Sequence, residues 1–144
     1  MADPLPRIGR MRSSERTLGP KETRMSKANS GLVDKIQTIT SSAFQTLILE
    51  GDGPIAVEFM SYGCGYCRAI EPMLQEVAEM LESKEQIFRV NIDSEEELSG
   101  SFDIQGTPTF VMFLDGNEVG RVEGIQPTLA SVMAAVTDPF EARN

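Results

Sequence analysis

The clearest apolar run in the chain is Ile55-Ala56-Val57-Glu58-Phe59-Met60, in which a single carboxylate interrupts five hydrophobic positions. Bounded by Gly53-Pro54 before it and a Gly-rich stretch after it, such a run predicts a strand buried on both faces of a sheet. Ile87 to Ile92 and Thr109 to Leu114 have the same character. Glu118 to Val122 follows the latter across Asp115-Gly116-Asn117, a hairpin signal that makes the last two strands antiparallel. Between the strands the spacing turns helical. Met73, Leu74, Val77, Met80 and Leu81 form one side of a long amphipathic helix, with Glu71, Gln75, Glu76, Glu79 and Glu82 on the other, and Pro72 predicts a kink in it. Upstream, Ile36 to Thr40 reads as a weak β-branched strand, although Val33, Ile36 and Ile39 are also spaced for a helix. Ser41 or Ser42 offers an N-cap for a helix carrying Phe44, Leu47 and Ile48, which Gly51 and Gly53-Pro54 stop. Ser94-Glu95-Glu96-Glu97 reads as a capping box opening a short helix toward Phe102. Gln126-Pro127 predicts the start of a final helix through Leu129, Val132, Met133 and Val136, with proline at its first position.

The resulting order β, α, β, α, β, α, β, β, α implies an α/β fold with a central mixed sheet flanked by helices on both faces. The sheet is expected to be parallel at its βαβ crossovers and antiparallel at the terminal hairpin. A chain of 144 residues has room for one such domain. We place it at residues 31–144. Residues 1–30 carry Pro4, Pro6, Pro20, Gly9 and Gly19 with scattered Arg and Ser and no periodicity, and read as a disordered basic leader. Met25 is an alternative start, and an organelle-targeting segment is the competing reading of the same stretch.

Charge separates the two parts. The net charge is −9, but residues 1–30 hold seven Lys/Arg against three Asp/Glu, and the remainder holds six against nineteen. An acidic body repels phosphates, so no nucleic-acid partner is expected for the domain. The absence of histidine removes every mechanism built on an imidazole, from Ser-His-Asp nucleophiles to His-rich zinc sites. No apolar run approaches the length of a membrane span, and the N-terminus lacks the apolar core of a secretory signal.

The chemistry concentrates at Cys64-Gly65-Tyr66-Cys67, which holds both cysteines of the chain between a buried strand and an amphipathic helix. A Cys-x-x-Cys beside a βαβ pattern reads as a redox dithiol, because the helix start offers unpaired N–H groups and a positive dipole end to a thiolate. A free thiol is only about 3% ionised at pH 7, so any such stabilisation activates it. The first cysteine sits at the helix tip and the second one turn inside, so the first can meet a substrate more easily. Three other readings stand beside this one: a metal or cluster completed by carboxylates or shared between two chains, a structural disulfide, and two reduced core cysteines without chemistry, which would be odd beside Gly63 and Gly65. A redox-inactive or metal-sharing peptide-docking module is a reading from another class. The disulfide would close a loop of about four residues, worth only roughly 2 kcal/mol. Glu58 adds a second signal: a carboxyl inside an apolar strand should resist ionisation and so can shuttle a proton, unless it is merely half-exposed.

Glu58 to Arg68 with Pro72, then Val90-Asn91-Ile92-Asp93, then Gly106-Thr107-Pro108-Thr109 and Gly116, resemble the thioredoxin-like thiol-disulfide oxidoreductases over about residues 33–137. The resemblance implies a thioredoxin fold in which Cys64 is the exposed nucleophile, Cys67 the buried resolving thiol and Glu58 the buried carboxyl that assists Cys67. Arg89 falls where many relatives have a Lys near that carboxyl, and a solvated strand arginine is the alternative. It further implies a cis bond before Pro108, a substrate backbone paired to Thr107, and a binding surface including Tyr62, Gly63, Gly65 and Tyr66. No cofactor is implied beyond the redox-active pair Cys64 and Cys67. The implied partners are protein disulfides and an upstream reductase or oxidase, met by a cytoplasmic monomer, or in the periplasm or an organelle if residues 1–30 are a targeting segment.

Two departures qualify the resemblance. The tryptophan that usually precedes the first cysteine is replaced by Gly63, and Tyr66 stands where thioredoxin has proline. Cys-Gly-Tyr-Cys with Thr before the proline is similar to bacterial Dsb-type isomerases, although their dimerisation domain and signal sequence are not readable here. A disulfide reductase is therefore the first expectation, an oxidase or isomerase the second. The dithiol is expected to be less reducing than the roughly −270 mV of thioredoxin.

Overall fold

The computed structural model describes residues 34–141; the leader proposed for residues 1–30 lies outside them. In chain order the elements are β1 (Gln37–Thr38), α1 (Ser41–Phe44, continuing as a π-helical turn Gln45–Leu49), β2 (Pro54–Met60), α2 (Gly65–Leu81), β3 (Gln86–Asn91), α3 (Glu96–Ser101), β4 (Thr109–Leu114), β5 (Asn117–Glu123) and α4 (Leu129–Glu141). The five strands form one sheet in the order β1-β3-β2-β4-β5. β1 and β2 run parallel to β3, while β4 is antiparallel to both β2 and β5. The antiparallel part is thus larger than the hairpin alone, because the chain leaving α3 crosses to the far side of β2 and returns in the opposite direction.

Strand alternation assigns each side chain to a face. Ala56, Ile87, Phe110 and Met112 pack with Ile70, Leu74, Val77 and Leu81 of α2 and Val132 and Val136 of α4. Their neighbours Ile55, Val57, Phe59, Phe88, Val90, Val111 and Phe113 point the other way, onto Phe44 and Ile48 of the first helical segment, with Phe102 beside them. On that second face four phenylalanine rings, Phe44, Phe59, Phe102 and Phe113, lie with centroids 5.4–5.8 Å apart in tilted and edge-on pairs. Such contacts add to the stabilisation from burial alone.

Several sequence expectations are corrected at element ends. β1 shrinks to two residues, and Ile36 and Ile39, an odd number of positions apart, reach opposite faces of the sheet, which explains their helix-like spacing. The expected capping box does not form. Glu95 occupies the cap position of α3 without a side-chain bond there, and its carboxylate instead accepts from Ser41 N–H at 2.9 Å and Ser41 Oγ at 2.5 Å. Ser41 is therefore the first residue of α1 rather than its cap, and a distant carboxylate supplies the acceptor that Thr40 does not. Hydrogen bonds from Ser41 hold the Glu95 carboxyl below the usual range. Pro127 lies before α4, whose first turn is capped by Thr128 Oγ1 accepting from Ser131 N–H at 3.1 Å. Pro72 sits inside α2 and Pro139 inside α4, and both helices continue through them. The hairpin turn is two residues, not three: Asp115 and Gly116 have φ of 50° and 85°, and Asn117 already pairs with Leu114. These positive angles suit the twist of a tight hairpin. Glycine is also required at 116 by space, since a Cβ there would collide with the Leu49 carbonyl.

Candidate active site

β2 ends at Met60, and the four residues before α2 form a turn stitched to its surroundings. Cys64 N–H bonds to Ser61 O at 3.0 Å, and Ser61 Oγ donates to Asp93 Oδ2 at 2.6 Å while accepting from Gly63 N–H at 3.3 Å. Asp93 N–H is held in turn by Asn91 Oδ1 at 3.0 Å, and Arg68 Nη1 bonds to Tyr62 O at 2.9 Å. The segment Asn91-Ile92-Asp93 thereby fixes the turn that presents Cys64.

Cys64 is the N-cap of α2, and its Sγ accepts the Cys67 N–H at 3.2 Å. This uses one of the orphan donors of a helix start on a sulfur, where it favours the anion. Both cysteines are unbonded thiols here; Cys64 is part-exposed and Cys67 is 2% exposed. Partial burial of Cys64 works against ionisation, but hydrogen bonds from the Cys67 thiol, the Thr107 side chain and the Cys67 and Tyr66 amides outweigh it, and the thiol's pKa is lowered. For Cys67 the balance is reversed. Burial, followed by its hydrogen bond to Cys64, pushes that thiol up to about 12.

Across from the dithiol, Cys64 Sγ lies 3.4 Å from Thr107 O, and the Thr107–Pro108 bond is cis. Thr109 Oγ1 bonds to Gly106 O at 2.7 Å and ties the loop at the start of β4. Thr107 is half-buried and Pro108 buried. Tyr62, Gly63, Gly65 and Tyr66 are exposed beside Cys64, the tyrosines at 58% and 76%.

Glu58 is fully buried, so a half-exposed strand position does not describe it. It shares with Ala56 the sheet face that α2 covers. Its cross-strand partner Arg89 is buried as well and is not a solvated strand arginine: Nε lies 3.4 Å from Glu58 Oε1 and Nη2 lies 2.6 Å from Glu71 Oε2. Burial raises the Glu58 carboxyl to about 7 despite Arg89, with smaller upward contributions from the charges of Glu71 and Cys64. Glu58 Oε2 makes no hydrogen bond. Glu71 is the residue that the sequence reading missed, since it was assigned to the polar side of its helix. It follows Cys67 by four positions, and that spacing places it above the buried thiol on the same side of the helix. Among the described residues no group of three or more His, Cys, Asp or Glu side chains is arranged to hold a metal.

The family model for thioredoxin matches residues 35–135. The chain belongs to the thioredoxin family. It is 33% identical over 84 residues to a thioredoxin of Pseudomonas aeruginosa, an overlap of 58% of this chain and 78% of that one. A thioredoxin of Alicyclobacillus acidocaldarius is 37% identical over 90 residues, covering 62% and 85%. Among solved structures, Malassezia sympodialis thioredoxin superposes with a TM-score of 0.63 at 25% identity, over 72% of this chain and 89% of that one. The protein is accordingly a thiol-disulfide oxidoreductase of thioredoxin fold that acts on protein disulfides.

Proposed function

We propose that Cys64 and Cys67 reduce protein disulfides with fixed and different roles. The observation that carries this assignment is the opposite treatment of the two sulfurs: one part-exposed with its anion favoured, the other buried with its proton held. The Cys64 thiolate attacks one sulfur of the substrate disulfide, forming a mixed disulfide and expelling a substrate thiolate. Cys67 then gives its proton to the Glu58 carboxylate, and its sulfur attacks Cys64 Sγ. The Cys64–Cys67 disulfide forms, the second substrate thiolate leaves, and two electrons have passed from the dithiol to the substrate. The protons taken up by the substrate thiolates match those lost by the two cysteines. Electrons move between sulfur atoms throughout, so the scheme needs no metal or organic cofactor.

Thr107 and Pro108, with Tyr62, Gly63, Gly65 and Tyr66, form the surface we assign to the substrate backbone. Two exposed tyrosines provide wide apolar contact at little entropic cost. Stabilising the Cys64 anion stabilises the reduced protein, which favours a potential less reducing than about −270 mV and supports the second reading, an oxidase or isomerase. Insulin reduction with dithiothreitol should be catalysed by the protein and lost in Cys64→Ser; no catalysis would leave a binding module. Equilibration in glutathione buffers sets the direction, and a potential at or below that of thioredoxin would discard the oxidising readings.

We assign the protein to the cytoplasm as a monomer served by an upstream reductase or oxidase, on the strength of bacterial relatives named thioredoxin and an acidic, self-repelling domain. No helix among the described residues is long and apolar enough to cross a membrane. Localising the full chain against one lacking residues 1–30 tests the targeting alternative, and light scattering tests the monomer.

A further inference from the structure

The Arg89 guanidinium makes unequal contacts with the carboxylates of Glu58 and Glu71. Its Nη2 lies 2.6 Å from Glu71 Oε2, a short charge-assisted contact, whereas its Nε lies 3.4 Å from Glu58 Oε1. Glu71 is itself braced. Gln75 Nε2, one turn further along α2, donates to the same Oε2 at 2.7 Å, and Gln75 Oε1 accepts Lys35 N–H at 2.7 Å. Of these two, the carboxylate at the rim, 36% exposed, therefore holds the guanidinium more closely, and the fully buried carboxylate keeps one oxygen without a hydrogen bond.

We propose that Glu71 is a positioning residue for thiol-disulfide exchange: by holding Arg89 at short range it keeps the guanidinium from closing fully onto Glu58, whose carboxyl is thereby left able to take the proton of Cys67. The proposal rests on the reading of Glu58 as the proton acceptor for Cys67. A carboxylate closed onto Arg89 would hold protons too weakly to match that task, since proton transfer is most effective when the acceptor's affinity lies near the working pH. The groups that act electrostatically on Glu58 are Arg89 from β3, Glu71 from α2 and Cys64 at the start of α2, with the buried Cys67 of α2 as the assigned proton donor; from β4 its partner is the uncharged Phe110. Loss of the Glu71 charge acts in one direction twice, removing a negative neighbour of Glu58 and the short contact that draws Arg89 away from it.

The test is a carbon-13 titration of the Glu58 carboxyl in the reduced full chain, its resonance assigned by its disappearance in Glu58→Gln. The second readout is the pH profile of mixed-disulfide resolution by Cys67. Glu71→Gln should weaken proton binding at Glu58 roughly tenfold and carry the matching limb of the rate profile to lower pH by the same amount. Glu71→Asp, which keeps the charge, should restore part of both. An unchanged Glu58 titration in Glu71→Gln would overturn the proposal while leaving the role of Glu58 intact. If instead the limb persists in Glu58→Gln, the acceptor reading fails, and with it any role of Glu71 in the reaction, even where Glu71→Gln moves the carboxyl's titration.

Discussion

The two faces of the sheet are made by alternate residues of the same strands, yet they are built on opposite terms. One is covered by the first helical segment and α3 and holds four packed phenylalanine rings. The other is covered by α2 and α4 and, beneath the helix that carries the dithiol, buries a carboxylate and a guanidinium, with Glu71 holding the guanidinium from the rim. Buried ions cost free energy that apolar packing would not. The difference teaches that the chemistry is confined to one face and that the other offsets its cost.

The sharpest way to break this comparison is Cys64→Ser. It should reduce insulin-reduction activity to background with an unfolding midpoint near that of the parent, because the part-exposed Sγ contributes little packing. Phe113→Ala should do the reverse. Removing a 1% exposed ring that touches Phe44 and Phe102 should cost about 3–5 kcal/mol in denaturant unfolding, while the molecules that remain folded keep their activity. A large activity loss at unchanged stability in Phe113→Ala would erase the division between the faces.

A pH series sharpens it further. Glu58 has its proton affinity raised by burial from near 4.5 to about 7, so the fold favours its protonated form. The stability this gives is fully present below about 4.5 and is lost as pH rises through about 7, by on the order of 3 kcal/mol. Glu85, which burial raises to about 8 at the junction of α2 and β3, extends the decline upward. Unfolding free energies measured from pH 4.5 to 8 should fall, and Glu58→Gln should flatten the lower part of the fall and leave the Glu85 part. Phe113→Ala should lower the whole curve without changing its slope. The smallest effect is expected at Gly120, where an added Cβ would lie 2.8 Å from Pro139 Cβ. Gly120→Ala should cost about 1–3 kcal/mol as β5 and α4 shift apart, with no change in the slope against pH.

The apolar face was the more legible of the two in the sequence. Ile55, Val57, Phe59, Val111 and Phe113 announce themselves as members of short, nearly continuous apolar runs, and the dithiol, Thr107-Pro108 and Glu58 announce themselves by being out of place. What escaped was partnership across long sequence distance. Glu95 looked like the second residue of a local capping box and instead reaches 54 residues back to Ser41. Arg89 could be read as solvated because nothing near it in the chain reveals the strand register that sets it opposite Glu58. Glu71 looked like one more acid on a polar helix face, since the turn-to-turn relation to Cys67 matters only once Arg89 is known to lie beneath it. Local periodicity encodes elements; the electrostatics of the site come from pairings that only the folded chain creates.

The central claim is that the backbone around position 64 holds that sulfur as an anion while its neighbour keeps its proton. Ultraviolet titration of thiolate absorbance in the reduced protein and in Cys67→Ser, paired with the pH dependence of iodoacetamide alkylation at Cys64, measures this directly. The account predicts that Cys64 ionises below the range of a free cysteine thiol and is alkylated first, with Cys67 silent until strongly alkaline pH. Ionisation of Cys64 at or above the free-thiol value, or alkylation of both sulfurs together, would contradict it.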